Sequence, residues 1–278
     1  MHRTITTDIA RVILVLWLTV LIMIITTMEG SVVRAAGQKG FMRITVVFNN
    51  VPLVPGLVEG WGFSCLVQGL EKTLLFDTGA SGRVLLNNMS RLNLDFNEID
   101  AVFLSHIHSD HTGGLEAVLS HHPDVDVFIP ESFPSLFQYA IARTGAQVIE
   151  IGAGRRLMEH IYSTGEMGDG MIEQAMIVDT AKGLVVITGC AHPGIALVAE
   201  KAIAITGKRI HLLMGGFHLA GMPRSEIKTV IFRLKALGIE KVGPSHCTGE
   251  SAIALFRQAW GDNFVEAGLG AVIEFPLS

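Results

Sequence analysis

Residues 105–114 read Ser105-His106-Ile107-His108-Ser109-Asp110-His111-Thr112-Gly113-Gly114. Four side chains able to bind a metal, His106, His108, Asp110 and His111, fall within six positions. Core packing gives no reason to crowd three imidazoles and a carboxylate together. A divalent cation does, because imidazole and carboxylate are ligands that zinc, iron and manganese accept. In an extended segment side chains alternate with period two, so His106 and His108 point the same way and can share one ion. Asp110 and His111 follow, where Gly113-Gly114 lets the chain turn tightly, and they can face a second ion. Paired ions about 3.5–4 Å apart are a common hydrolytic device.

Four clustered ligands do not complete two coordination shells, and the sequence offers partners. His192 lies in Thr-Gly-Cys-Ala-His-Pro-Gly, His218 in Gly-Gly-Phe-His-Leu and His246 in Pro-Ser-His-Cys-Thr-Gly. Each follows an apolar strand, where α/β sheets carry their ligand-binding loops. His192 and His246 are expected as metal ligands. His218 is read as a ligand, a substrate contact or a support for another ligand. Asp77, in Leu-Leu-Phe-Asp-Thr-Gly, ends a strand. It serves either as a turn residue or as an acceptor that orients a metal-bound imidazole. His121, His122 and His160 lie in polar surroundings and read as solvent-facing; His211 reads as a strand residue without supporting neighbours.

Working outward, short apolar strands alternate with helices. Strands are expected at Met42–Phe48, Phe63–Val67, Thr73–Phe76, Ala101–Leu104, Val125–Ile129, Val148–Ile151 and Arg156–Tyr162. The second half repeats the rhythm with strands at Ala175–Asp179, Leu184–Thr188, Ile210–Met214, Lys241–Gly243 and Ala271–Phe275. Helical spacing covers Ser81–Leu92, Leu115–Leu119, Phe133–Thr144, Gly194–Ile205, Ser225–Leu237 and Ser251–Trp260. The alternation indicates an α/β sandwich with helices covering sheet faces. Gly165–Gly170 (GEMGDG) reads as a surface loop or a mobile lid.

The chain has 278 residues, enough for one large domain or two small ones, and 49% of them are hydrophobic, ample for a packed core. A net charge of −5 is a poor footprint for nucleic acid, which wants a clustered basic face. Val12–Ile25 is uncharged and almost wholly apolar, with Arg3 and Arg11 before it and Val33-Arg34-Ala35 after it. This is the pattern of a cleaved signal peptide or of an uncleaved hydrophobic anchor helix. Residues 1–40 are therefore read as a targeting segment and linker, and 41–278 as the catalytic domain. The basic flank points to an exported domain, either released or held at the membrane. Three cysteines, Cys65, Cys190 and Cys247, are too few for a disulfide scaffold, and one disulfide at most is possible.

His-x-His-x-Asp-His after a strand, with an Asp-Thr-Gly strand end before it and single histidines far downstream, resembles the metallo-β-lactamase superfamily. The resemblance runs from about residue 42 to the end. It implies a four-layer αββα sandwich with a dinuclear site at one edge of the sheets. It also implies that His106, His108 and His192 hold one ion and that Asp110, His111 and His246 hold the other. The phrases around His192, His218 and His246 resemble the subgroup named for dihydropterin-ribofuranosylaminobenzene-phosphate synthase. One departure stands out. Many members carry a metal-bridging Asp after a strand ending in Gly, and here Leu-Val-Val-Ile-Thr-Gly is followed by Cys190. Its thiolate can ligate zinc, or the residue can be a small buried side chain.

The expected chemistry is hydrolysis of an ester, lactone, thioester or phosphoester in a small molecule by cation-activated water. Asp110 would orient the water or take its proton. Zinc is the expected ion, two per chain, with iron or manganese as alternatives. Transfer, as the subgroup name implies, is the second reading. It would need an aromatic platform for a pterin-like ring, and Trp61 and Phe63 are the candidates. A metal-bound sensor is the third. Loops Asn50–Trp61 and Gly152–Met171 are where substrate specificity should lie.

Overall fold

The structure is a computed structural model and describes residues 40–277. The hydrophobic segment at Val12–Ile25 lies outside the described residues. Among the described residues, no helix is long and apolar enough to cross a membrane.

Among the described residues, thirteen strands form two mixed sheets. The first runs in the order β13-β1-β2-β3-β4-β5-β6. Its strands are β1 (Phe41–Asn49), β2 (Phe63–Gln68), β3 (Leu74–Phe76), β4 (Ala101–Phe103), β5 (Asp126–Pro130), β6 (Gln147–Ile151) and β13 (Val272–Pro276). The second runs β12-β11-β10-β9-β8-β7. It comprises β7 (Ala153–Met158), β8 (Ile161–Gly165), β9 (Met176–Thr180), β10 (Gly183–Thr188), β11 (Ile210–Gly216) and β12 (Lys241–Ser245). Arg156–Tyr162, expected as one strand, is a hairpin that turns at Glu159-His160 between β7 and β8. His160 takes φ +62° there.

Period-two alternation sorts the apolar side chains into three layers. Leu74 and Phe76 face the space between the sheets, where they meet Met176, Val178, Val185, Ile187, Leu212 and Met214. Leu75 and Val102 face the other way, onto Leu85 and Met89 of α1 (Gly82–Arg91) and Val118 of α3 (Leu115–His121). Leu184, Val186 and Leu213 pack outward onto α5 (Ile195–Thr206), α6 (Arg224–Ala236) and α7 (Glu250–Trp260). The small helices α2 (Ser109–Thr112) and α4 (Ser135–Ala142) are the remaining α-helices among the described residues. Both faces of each sheet are covered, so the strands read as continuous apolar runs rather than alternating ones. The result is the expected αββα order.

Each sheet is parallel where it carries function. Strands β3, β4 and β5 are parallel neighbours, and so are β10, β11 and β12. Their carboxyl ends carry Asp77, Ser105-His106, Cys190–His192, His218 and His246. Gln174 ties the two ends together: its N–H donates to Ser105 O at 2.9 Å and its Nε2 to Leu104 O at 2.9 Å.

Candidate metal centre

Four of the six non-glycine residues with positive φ among the described residues are Asp77, Ala191, His218 and His246, at +49° to +57°. Backbone strain of this kind costs about 1–3 kcal/mol per residue and collects at functional sites. Here it bends each loop sharply off its strand end and back over the edge of the sandwich.

The side chains form two sets. His106, His108 and His192 make the first; Asp110, His111, Cys190 and His246 make the second. Within each set the ligand atoms lie within 4.8 Å of one another. His106 Nε2 is 3.1 Å from His108 Nδ1. Asp110 Oδ2 is 3.5 Å from His111 Nε2 and 3.3 Å from His246 Nε2. Cys190 Sγ is 3.3 Å from His111 Nε2. A tetrahedral cation with nitrogen or oxygen ligands at about 2.0–2.1 Å sets neighbouring donors about 3.3 Å apart. The separations therefore match edges of such a shell. The Nε2 atoms of His192 and His246 are buried without a hydrogen-bond partner, an arrangement that costs free energy unless something accepts the lone pair. The donor set and its orphaned nitrogens fit a divalent cation in each half.

The imidazoles are aimed from behind. Asp77, fully buried, accepts from Ser105 N–H on Oδ1 and from both the Ser105 hydroxyl and His111 Nδ1 on Oδ2, each at 2.7 Å. With its proton given to Asp77, Ser105 Oγ accepts from His106 Nδ1 at 2.9 Å. One carboxylate thus fixes His111 directly and His106 through Ser105, leaving Nε2 of both free to ligate. His246 Nδ1 donates to Asn50 Oδ1 at 2.7 Å. Sequence reasoning singled out Asp77 but assigned nothing to Ser105 or Asn50.

Glu173 is the larger omission. It is fully enclosed, and its carboxylate accepts three successive backbone N–H groups at 2.9 Å, from Cys190, Ala191 and His192. That cradle sets the loop which places Cys190 in one set and His192 in the other. Burial raises the Glu173 carboxyl against the pull of these three donors.

Gly113 and Gly114 have a different reason from the tight turn expected of them. Both adopt ordinary helical angles. A Cβ would lie 2.5 Å from Ala80 O at Gly113 and 2.3 Å from Thr78 O at Gly114. Their glycines let α2 dock on the loop after Asp77, where Thr78 N–H donates to His111 O at 2.7 Å.

Electrostatics separate the two sets. Burial and the neighbouring His111, His192 and His108 hold His106 far below the usual imidazole range. Burial, His218 and His108 lower His192 to about 4. Burial also opposes charge on His111, but Asp77 and Asp110 raise it to about 10. Burial favours neutral Asp110, yet contact with His111 and His246 holds it well below the carboxylate range.

His218 enters neither set; its ring sits 4.3 Å from that of His192. Trp61 and Phe63 part company. Phe63 is core, against Phe76, whereas Trp61 is 58% exposed with its ring 4.9 Å from His246. The loop Met167–Met171 joins His192, Pro193, Leu197 and Lys201 around a cleft of about 650 Å³. His211 lies in a strand as expected but has a charged neighbour, and His122 and His160 are half-buried rather than solvent-facing. His211 is buried with Nδ1 3.1 Å from Glu240, and His122 is half-buried against Phe96. All three cysteines are free thiols.

Two ligand sets at one edge of an αββα sandwich define a metal-dependent enzyme of the metallo-β-lactamase fold, with a His/Asp/Cys metal-binding cluster. A family model described as anti-Pycsar protein Apyc1 matches residues 59–137. A 7,8-dihydropterin-6-methyl-4-(β-D-ribofuranosyl)-aminobenzene-5′-phosphate synthase from Methanocaldococcus jannaschii is 30% identical, with 77% of this chain and 90% of the relative covered. The crystal structure of a metal-dependent hydrolase of the β-lactamase superfamily superposes with TM-score 0.71 at 26% identity, covering 84% of this chain and 99% of that one. A metallo-β-lactamase fold protein from Bacillus subtilis shares the fold at TM-score 0.61 and 16% identity, covering 85% of this chain and all (100%) of that one. The chain belongs to the metallo-β-lactamase superfamily.

Proposed function

We propose that the chain is a metal-dependent hydrolase of an ester, lactone, thioester or phosphoester bond in a small molecule. The observation that carries this reading is the pair of orphaned nitrogens, His192 Nε2 and His246 Nε2, one in each ligand set. His106, His108 and His192 would hold one cation; Asp110, His111 and His246 would hold the other, with Cys190 Sγ 3.3 Å from His111 Nε2. Zinc suits this donor set, and iron or manganese are the alternatives. The ion these residues would hold would supply a lowered pKa for bound water, from 15.7 to about 7, and polarisation of the scissile oxygen. Asp110, held ionised beside His111, would orient the attacking water or take its proton. Asp77 and Ser105 keep the imidazole tautomers fixed through the cycle. The segment before residue 41 would direct the domain out of the cytoplasm and hold it at the membrane where it is not cleaved.

The second reading is transfer on a phosphorylated, pterin-like substrate. It is supported by the 30% identity to the synthase and by the exposed Trp61 ring beside His246. Metal analysis of protein purified without added metal, followed by assays on an ester, lactone, thioester and phosphodiester panel and on a pterin diphosphate, separates the two. Hydrolysis is expected, lost in His106→Ala and His108→Ala with the fold retained. Full activity in either variant, or after exhaustive chelation, overturns the reading.

A further inference from the structure

Cys247 takes no part in either ligand set, yet it is buried beside them. Its sulfur, the sulfur of Cys190 and a ring nitrogen of His218 lie within 4.8 Å of one another. The Cys247 thiol donates to Cys190 O, with sulfur and oxygen 3.8 Å apart. We propose that Cys190, His218 and Cys247 form a third cation site, thiolate-rich and selective for a thiophilic ion such as zinc, cadmium or copper(I).

The backbone builds this site. Strands β10, β11 and β12 are adjacent and parallel, with Thr188 opposite Gly215 and Gly216 opposite Ser245. Cys190 lies two residues beyond Thr188, His218 two beyond Gly216 and Cys247 two beyond Ser245. Adjacent strands are about 4.8 Å apart, so the ladder itself brings three donors to near-ligand spacing at one sheet edge. Gly216 permits the closure: a Cβ there would lie 2.7 Å from Cys247 Sγ and 3.2 Å from Cys190 Cα. Cys190 and Cys247 are 3% and 5% exposed, so the sulfurs are shielded, while His218 lies at the surface and leaves an open side for a fourth ligand.

The donor chemistry differs from that of the neighbouring sets. Two thiolates are soft ligands and imidazole is borderline, and together they select soft or borderline ions over magnesium, calcium or manganese. Binding displaces the thiol protons to solvent. Cys190 Sγ is also 3.3 Å from His111 Nε2, so its thiolate is shared, bridging the third ion and the one beside Asp110, His111 and His246. This gives Cys190 a function that a bridging carboxylate would not serve: it extends a two-ion site into a three-ion cluster.

The test uses the reduced full chain, cobalt(II) and cadmium(II) as probes, and chelator competition to count ions. The wild type is expected to bind one more ion per chain than Cys247→Ser or His218→Ala, with a thiolate-to-cobalt charge-transfer band that falls by half or more in Cys247→Ser. Cys190→Ser should lose the band altogether. Equal stoichiometry and equal band intensity in wild type and Cys247→Ser overturn the proposal, because Cys190 alone then supplies the sulfur. Loss of two titratable thiols in air with no bound ion also overturns it, since the pair is then a disulfide. If Cys247→Ser does not fold, His218→Ala, which removes only a surface side chain, decides the ion count in its place. Ions lost in His106→Ala report on the hydrolytic set instead, so failure there is distinguishable from failure here.

Discussion

Asp77 Oδ2 stands 2.7 Å from His111 Nδ1 and, through the Ser105 hydroxyl, one further hydrogen bond from His106. A single buried carboxylate therefore sets the direction of one imidazole in each half of the centre. Asp77→Asn keeps the shape but puts an NH2 group or a weaker acceptor against two donors. Metal affinity should fall about 10–100-fold, the usual cost of losing such support. Ser105→Ala should weaken only the half that holds His106. Competition with a chromophoric chelator reads both, and unchanged affinity in Asp77→Asn would count against this role.

Glu173 serves the opposite wall. Gln at this position has one acceptor oxygen where three N–H groups now share two, and its NH2 would confront at least one of them. An unsatisfied buried donor costs about 1–3 kcal/mol. Glu173→Gln should lose stability in denaturant titration by that amount and lose ions from both halves, since Cys190 and His192 ride on the same loop. The exposed Glu159→Gln is the control. Loss of stability with full metal content would confine Glu173 to a structural role.

The layered fold and most of the residues that converge at the centre were legible because their signals are local. A β-strand followed by His106-x-His108-x-Asp110-His111 states both the element and its chemistry within ten residues. The downstream histidines were marked by strand-end glycines. What stayed hidden acts over distance. Glu173 accepts backbone N–H groups 17 to 19 residues away, and backbone donors leave no trace in side-chain identity. Asn50 and His246 are 196 positions apart. Trp61 and Phe63, two residues apart in an aromatic pair, went to different environments because only Phe63 lies in β2, where its ring faces the inter-sheet core. Cys190 read as an anomaly alone; its meaning depends on Cys247, which only the parallel ladder brings beside it.

Protons should compete with metal in a lopsided way. In the metal-free protein His192 is neutral above about 4, whereas His111 stays protonated up to about 10. Loading the His111 set near pH 7.5 must therefore release the His111 proton, and that proton alone should raise affinity there about tenfold per pH unit up to roughly 10. His106 and His192, both lowered, should add no such slope in that range. The same shift has a stability consequence. His111 is raised in the folded state, so its contribution is complete below its ordinary value of 6.5 and is lost as pH climbs through about 10. A pH-indicator dye in weak buffer checks the first point. Absence of proton release on zinc addition would refute it.

Trp61 offers the sharpest division between the two catalytic readings. Its ring is 58% exposed and tilted at 56° to His246, with centroids 4.9 Å apart, so one face is available to a planar ligand at the edge of the centre. Aromatic stacking is worth about 0.5–1.5 kcal/mol beyond the area buried, or roughly a 2- to 12-fold change in binding. With a pterin-like substrate, Trp61→Ala should raise KM within that range and leave kcat nearly unchanged, and Trp61→Phe should restore most of the loss. With a small aliphatic ester or lactone the same substitution should do little to either constant. Phe63→Ala should behave differently, costing about 3–5 kcal/mol of stability because it empties a filled core position. A fall in kcat on every substrate in Trp61→Ala, without rescue by Phe, would mean that the indole holds His246 in place rather than meeting the substrate.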